Sequence, residues 1–260
     1  MAVLIERTDD MAWIETRATS IRSQFDLAFW KGDGYRSGEF TDDRANAVAV
    51  LAGLASRDKW PAIAALLGEV WNATPYMEGY VLEAMYRIGY PDQALMRMKA
   101  RYAPLTDNEN STLWEHFSIH GTRNHAWSGG PLTILAKYVA GLYPATPGYE
   151  TYFVMPQLSS LTSLSLVVPS IKGRIELDLR KEEDQLHLGL ISPPGTEAIV
   201  GIPRVVFASG GEVSIACQGI MVWSNGELCL TPLSTSHSVI VEKNIRRFSS
   251  WACRTKLTVA

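Results

Sequence analysis

At the segment Pro144-Ala-Thr-Pro-Gly148 the apolar residues of this 260-residue chain change their period from about 3.6 to about 2. A chain that makes this switch once, near its middle, has to build a helical part followed by a sheet part, because a pattern of helical period cannot bury its apolar face as a strand. The expected architecture is multi-domain α and β, with an α-helical domain over 1–148 and an antiparallel β-sandwich over 149–260.

Six helices are expected before the switch. Residues 9–31 carry Asp9 and Asp10 at their start and Trp13, Ile14, Ile21, Phe25, Leu27 and Phe29 near helical period. Thr41-Asp42-Asp43 caps a second helix with Ala45, Val48, Leu51 and Leu54 as its stripe. A third follows over 59–71 with Pro61 in the first turn, a fourth over 76–88, a fifth from Pro91 to about 102, and a sixth from Leu132 to Leu142. Short connections make them antiparallel pairs, and their unequal lengths exclude a regular repeat. After the switch, alternating runs at 152–155, 161–168, 174–179, 186–190, 198–202, 213–216, 220–223, 227–230 and 238–242 are separated by turn signals such as Lys172-Gly173, Pro193-Pro194-Gly195 and Asn225-Gly226.

Between the fifth and sixth helices lies the stretch 105–131, much of it with neither period. Loops this long inside a domain are usually functional or disordered, and the aromatics here argue against disorder. It holds Trp114, Glu115, His116, His120, Arg123, Asn124, His125 and Trp127, together with Asp107 and Glu109. That mixture suits a carbohydrate: aromatic faces pack on the C–H surface of a sugar, while acids, amides and imidazoles bond its hydroxyls. Glycoside hydrolysis needs two carboxyl groups, and Glu115 is a candidate for one. On residue type alone plainer readings stand beside this one: a solvated acid, two core tryptophans and structural histidines. His116 and His120 are four apart, but without a helical period or a His-Glu-x-x-His pattern no metal site is expected, and no cofactor is implied.

Composition limits the partners. A net charge of -3 and no long basic run imply no nucleic-acid or other polyanion partner. No run of about 18 apolar residues is present, so no membrane span is expected. The N-terminus turns acidic too soon for a signal peptide, which gives a cytoplasmic expectation, or a periplasmic or secreted one if the chain is a fragment. Cys217, Cys229 and Cys253 fit no metal or redox spacing; they read as reduced thiols, with a Cys217–Cys229 cross-strand bridge as the alternative.

Taken in order, Thr74-Pro75-Tyr76, Tyr80-Val-Leu-Glu-Ala-Met-Tyr86, Ser111-Thr-Leu-Trp-Glu115, Asn124-His-Ala-Trp127 and Val139-Ala-Gly-Leu-Tyr-Pro144 resemble the C-terminal half of bacterial α-L-rhamnosidases of glycoside hydrolase family 78, over roughly residues 30–180. The resemblance implies helical hairpins forming about half of an (α/α)6 barrel, followed by a β-sandwich, and an inverting exo-glycosidase acting on terminal α-L-rhamnose. It implies that Glu115 is the general base and His125 a sugar contact, with Asn124, Trp114 and Trp127 beside them as substrate-binding residues. One departure matters. The general acid of that family lies in an acidic, tryptophan-containing segment of the first half of the barrel, and residues 1–40 carry no equivalent, while Asp42 and Asp43 sit where a helix cap belongs. The implied partners are a rhamnose-containing carbohydrate and the missing half-barrel, supplied by an upstream polypeptide or by a second copy. Competing readings are a carbohydrate-binding relic without a general acid, a helical interaction protein, and a lyase with His125 or Tyr76 as base and Arg123 as clamp.

Overall fold

The computed structural model describes residues 5–106, 112–118, 121–182 and 185–203, and beyond these the backbone of the strands at 213–217, 220–224, 227–228, 236–243 and 251–258. The chain divides into two compact units, 1–130 and 131–260. The unit 1–130 is helical and the unit 131–260 is built mainly from two sheets.

Helices α1 (Asp10–Phe29), α2 (Asp43–Leu51), α3 (Trp60–Glu69), α4 (Pro75–Arg87) and α5 (Pro91–Thr106) follow the sequence expectation closely. Three of them start at a proline in the first turn, where the missing N–H costs nothing. Asp42 caps α2 by accepting the Arg44 N–H at 2.9 Å, as its position implies. Helix α5 runs past the expected end near 102, through Pro104 to Thr106. The expected sixth helix is instead a 3-10 turn (Ala126–Gly129), a short α6 (Gly130–Ile134) and a π turn (Leu135–Val139). Val81, Leu82, Ala84 and Met85 give α4 a fully buried face, and each of its larger side chains contributes roughly 1.5–3 kcal/mol by leaving water.

Helix α1 departs from expectation. None of its residues is buried, and Trp13 and Leu27 stay 69% and 79% exposed. Its C-terminal end is still tied down: Lys59 Nζ meets Asp26 at 2.6 Å, and Asn46 holds both the N–H and the carbonyl of Tyr35, at 2.7 and 3.0 Å.

Below the helices' surface lies a charged centre that sequence reading did not anticipate. Asp43, Glu78 and Arg97 are all but fully buried, and Arg101 nearly so. The Arg97 guanidinium grips Glu78 in a fork at 2.6 and 2.9 Å, meets Asp43 at 2.6 Å and donates to the carbonyls of Leu67 and Val70. Burial works against the charge on Arg97, but its bonds and attraction to Glu78 and Asp43 outweigh that and raise its pKa. For Arg101, 3.3 Å from Glu78, burial prevails and lowers it. One cluster thus fastens α2, α4, α5 and the end of the α3–α4 connection.

In the second unit one sheet has the order β1 (Leu142–Pro144), β2 (Thr151–Val154), β6 (Glu197–Pro203), β11 (Trp251–Thr258). The other has the order β3 (Ser163–Ser170), β4 (Gly173–Lys181), β5 (Gln185–Ile191), β10 (Ser236–Lys243), β7 (Val213–Cys217), β8 (Ile220–Ser224), β9 (Glu227–Leu228). Strict alternation buries Ile175, Leu177 and Leu179 of β4 and Leu186, Leu188 and Leu190 of β5 on one face. Pairing is antiparallel except between β2 and β6, which run parallel because the chain makes the β3–β4–β5 excursion into the other sheet before returning. Ser224 pairs with Glu227 in an antiparallel register, while the expected Asn225-Gly226 turn lies outside the described residues. Strands β1 and β11 were not expected. Residue 229 lies outside the described residues, as do the side chains of Cys217 and Cys253, and so does the Cys217–Cys229 reading.

Candidate functional site

Residues 113–115 and 122–125 lie alongside one another. The Glu115 N–H donates to the Thr122 carbonyl at 3.0 Å and the His125 N–H to the Leu113 carbonyl at 2.9 Å. Two anchors hold the Glu115 side of this pairing. Trp114 is buried, and its carbonyl accepts the buried Ser128 hydroxyl at 2.7 Å. Phe117 meets the Tyr102 ring edge-on at 5.1 Å and lies under the Arg101 guanidinium at 4.1 Å, which fastens the segment to the charged centre. Trp114 therefore sits beneath the loop with the Arg123 guanidinium over its ring at 5.4 Å, and the Arg123 clamp of the lyase reading is directed at that ring.

Between these anchors Glu115 is part-exposed, with 37% of its side chain open. The Thr122 hydroxyl donates to its Oε2 at 2.8 Å and the Thr122 N–H reaches the same oxygen at 3.3 Å. With its proton given to Glu115, that hydroxyl accepts from His125 Nε2–H, so Thr122 bridges the two side chains. His125 Nε2 stands 3.7 Å from Glu115 Oε2, and His116 Nε2 stands 3.9 Å from Oε1. The hydroxyl of Thr122 and then its N–H hold the Glu115 carboxyl below its ordinary value, outweighing an opposing effect of burial, and the nearby His116 and His125 add to the lowering. It is a carboxylate at neutral pH, an acceptor able to take a proton from a water. Gly121 makes the turn possible: its φ is +102°, and a β-carbon there would stand 2.8 Å from His116 Cδ2 and 3.2 Å from Glu115 Oε2.

The exposed Trp127 ring stacks at a tilt on His125, 4.4 Å between centroids, and meets Tyr76 edge-on at 5.8 Å; Tyr80 follows at 6.4 Å. Asn124 is exposed next to His125. Glu115, His125 and Trp127 thus converge, whereas Trp114 lies buried beneath them. The sequence analysis assigns Tyr80 no binding role and gives Tyr76 one only in the lyase reading; their shared face, one turn apart on α4, is the signal available. Asp42 and Asp43 are committed elsewhere, Asp42 to Arg44 and Asp43 to Arg97 and the Ala73 N–H. His120, Asp107 and Glu109 lie outside the described residues. Among the described residues no three His, Cys, Asp or Glu side chains are grouped to hold a metal, and no helix is long and apolar enough to cross a membrane.

Residues 141–214 match the family described as bacterial alpha-L-rhamnosidase C-terminal domain. Three solved structures align with most of the chain. The α-L-rhamnosidase from Dictyoglumus thermophilum is 20% identical at a TM-score of 0.78, over 93% of this chain and 30% of that one. A GH78 family rhamnosidase from Bacillus sp. GL1 is 21% identical at 0.67, over 78% and 24%. The Streptomyces avermitilis α-L-rhamnosidase, complexed with L-rhamnose, is 21% identical at 0.64, over 86% and 24%. The chain thus spans less than a third of the length of these proteins. No curated protein sequence matches it.

Proposed function

We propose that the chain supplies the base-bearing part of an α-L-rhamnosidase-type active site, a reading supported by the match of residues 141–214 to the bacterial α-L-rhamnosidase C-terminal domain and by the similar fold of the Dictyoglumus thermophilum enzyme over 93% of this chain. The observation that carries this reading is Glu115: an ionised, part-open carboxylate, oriented by Thr122 and flanked by His125 and Trp127. In an inverting glycosidase the base takes a proton from water as that water attacks the anomeric carbon, and the acid protonates the leaving oxygen about 6.5–9.5 Å away. Glu115 does the first task on terminal α-L-rhamnose, and His125 bonds a sugar hydroxyl. The acid comes from helices beyond this set, in an upstream polypeptide or a second copy, which also cover the exposed apolar side of α1.

Glu115→Gln keeps the shape of the side chain and removes the base. In the chain combined with the acid-bearing half it should abolish hydrolysis of an aryl α-L-rhamnoside while the far-UV and near-UV spectra stay unchanged. Turnover at the wild-type rate would end the assignment. The commitment of both Asp42 and Asp43 to other partners favours a second reading for the chain by itself, a carbohydrate-binding module. Calorimetry with L-rhamnose, paired with a hydrolysis assay, separates the two: binding without turnover supports the module.

A further inference from the structure

We propose that Tyr80, Tyr76 and Trp127 form a ring-stacking subsite for the unit attached to the sugar that Glu115 and His125 hold. The inference rests on the carbohydrate reading of Glu115. Three large aromatics lie side by side with 44%, 52% and 51% of their surface open, although α4 has a separate face that is buried completely. Exposed aromatics that touch one another form a patch that calls for a ligand or a partner.

The row is built by a close crossing. Gly79 lies on α4 between the two tyrosines, and a β-carbon on Gly130 would stand 3.1 Å from the Gly79 Cα. Only this pair of hydrogens lets α4 approach the 126–130 turn closely enough for Tyr76 to touch Trp127. From Trp127 the row continues through His125 to the Glu115 carboxylate, so a ligand of more than one ring lying along it would extend from Glu115 toward the tyrosines. The row itself carries no charge. Its chemistry suits a flat apolar ring face with hydroxyls at the edge, as in a neutral pyranose or an aromatic aglycone.

The test compares glycosides with one ring and two. Methyl and 4-nitrophenyl glycosides of L-rhamnose and of D-glucose, together with a neutral rhamnosyl-glucoside, are titrated by calorimetry into the full chain and into Tyr80→Leu, which keeps apolar bulk without a ring. The two-ring ligands should bind about tenfold more tightly than their methyl counterparts, the gain from one stacked ring pair, and Tyr80→Leu should bring the ratio close to one. The nitrophenyl and glucosyl arms tell an aromatic unit from a sugar. A ring preference in both series without preference for rhamnose keeps the subsite and ends the rhamnosidase reading. Equal affinities for one-ring and two-ring ligands, or no binding in either series, overturn the subsite. So does a changed sedimentation coefficient in Tyr80→Leu, which would make the row a protein contact.

Discussion

Replacing Arg97 with methionine should destabilise the helical unit by about 4 kcal/mol, the range found when one partner of a buried ion pair is removed. The structure sets that magnitude. Arg97 is 1% exposed and is the forked partner of Glu78 and a partner of Asp43, both 0% exposed, and it also satisfies two backbone carbonyls. Methionine fills most of the space but leaves two carboxylates without their main counter-charge. Arg101, 3.3 Å from Glu78, offsets only part of the loss. Since domains are held by about 5–15 kcal/mol, the helical unit would approach the edge of unfolding. Urea titration followed by tryptophan fluorescence reads this directly, because Arg97 lies 5.9 Å from the Trp71 ring. A second substitution, Asp43→Asn in the Arg97→Met background, should recover stability by removing one stranded charge. A loss below about 1 kcal/mol, the level of a surface pair, would refute the account of the centre as a buried, mutually dependent cluster. Weakening the cluster should also loosen Phe117, and with it the segment that carries Glu115.

Thr122→Val removes the hydroxyl that does most to lower the Glu115 pKa, so that pKa should rise toward 4.5. A lowered carboxyl works as a base above its pKa and fails as pH falls through it, so the acid limb of the pH–rate profile, or of the Glu115 carboxyl titration by NMR, should move to higher pH while Thr122→Ser restores it. No movement would show that Thr122 does not hold the charge. Gly121→Ala should cost roughly 1–2 kcal/mol for its left-handed backbone and should displace His116 or Glu115, seen as a lower unfolding midpoint together with a changed Glu115 titration. Ser128→Ala should cost about 1 kcal/mol for the lost bond to the Trp114 carbonyl, measured in the same urea titration.

Much of the fold was legible from the chain alone. Pro61 and Pro91 mark helix starts because a residue without an N–H is harmless only there, and Pro75 opens α4 for the same reason although the expected helix begins at 76. The alternation of β4 and β5 identifies the buried leucines because successive side chains in a strand must point to opposite faces. Glu115 and His125 are candidates through an ordered set of short motifs, and the structure brings their side chains within 3.7 Å of each other. What the chain could not disclose is what each face meets. Trp114 and Trp127 look alike in sequence, yet the first is buried under the loop and the second is open, because Ser128, Phe117 and the charged centre fix the loop from one side. Asp43 reads only as part of a helix cap and Glu78 carries no signal of its own until α2, α4 and α5 bring Arg97 between them. The apolar residues of α1 recur at helical period, yet none is buried and Trp13 and Leu27 stay open, since a period states that residues share a face and not that anything packs against it. The tyrosines of α4 reach Trp127 only through the Gly79–Gly130 crossing, a contact between positions far apart in the chain. Periodicity and local chemistry therefore determined the elements and the candidate base, while contacts distant in sequence decided which side chains became core, charged centre and site.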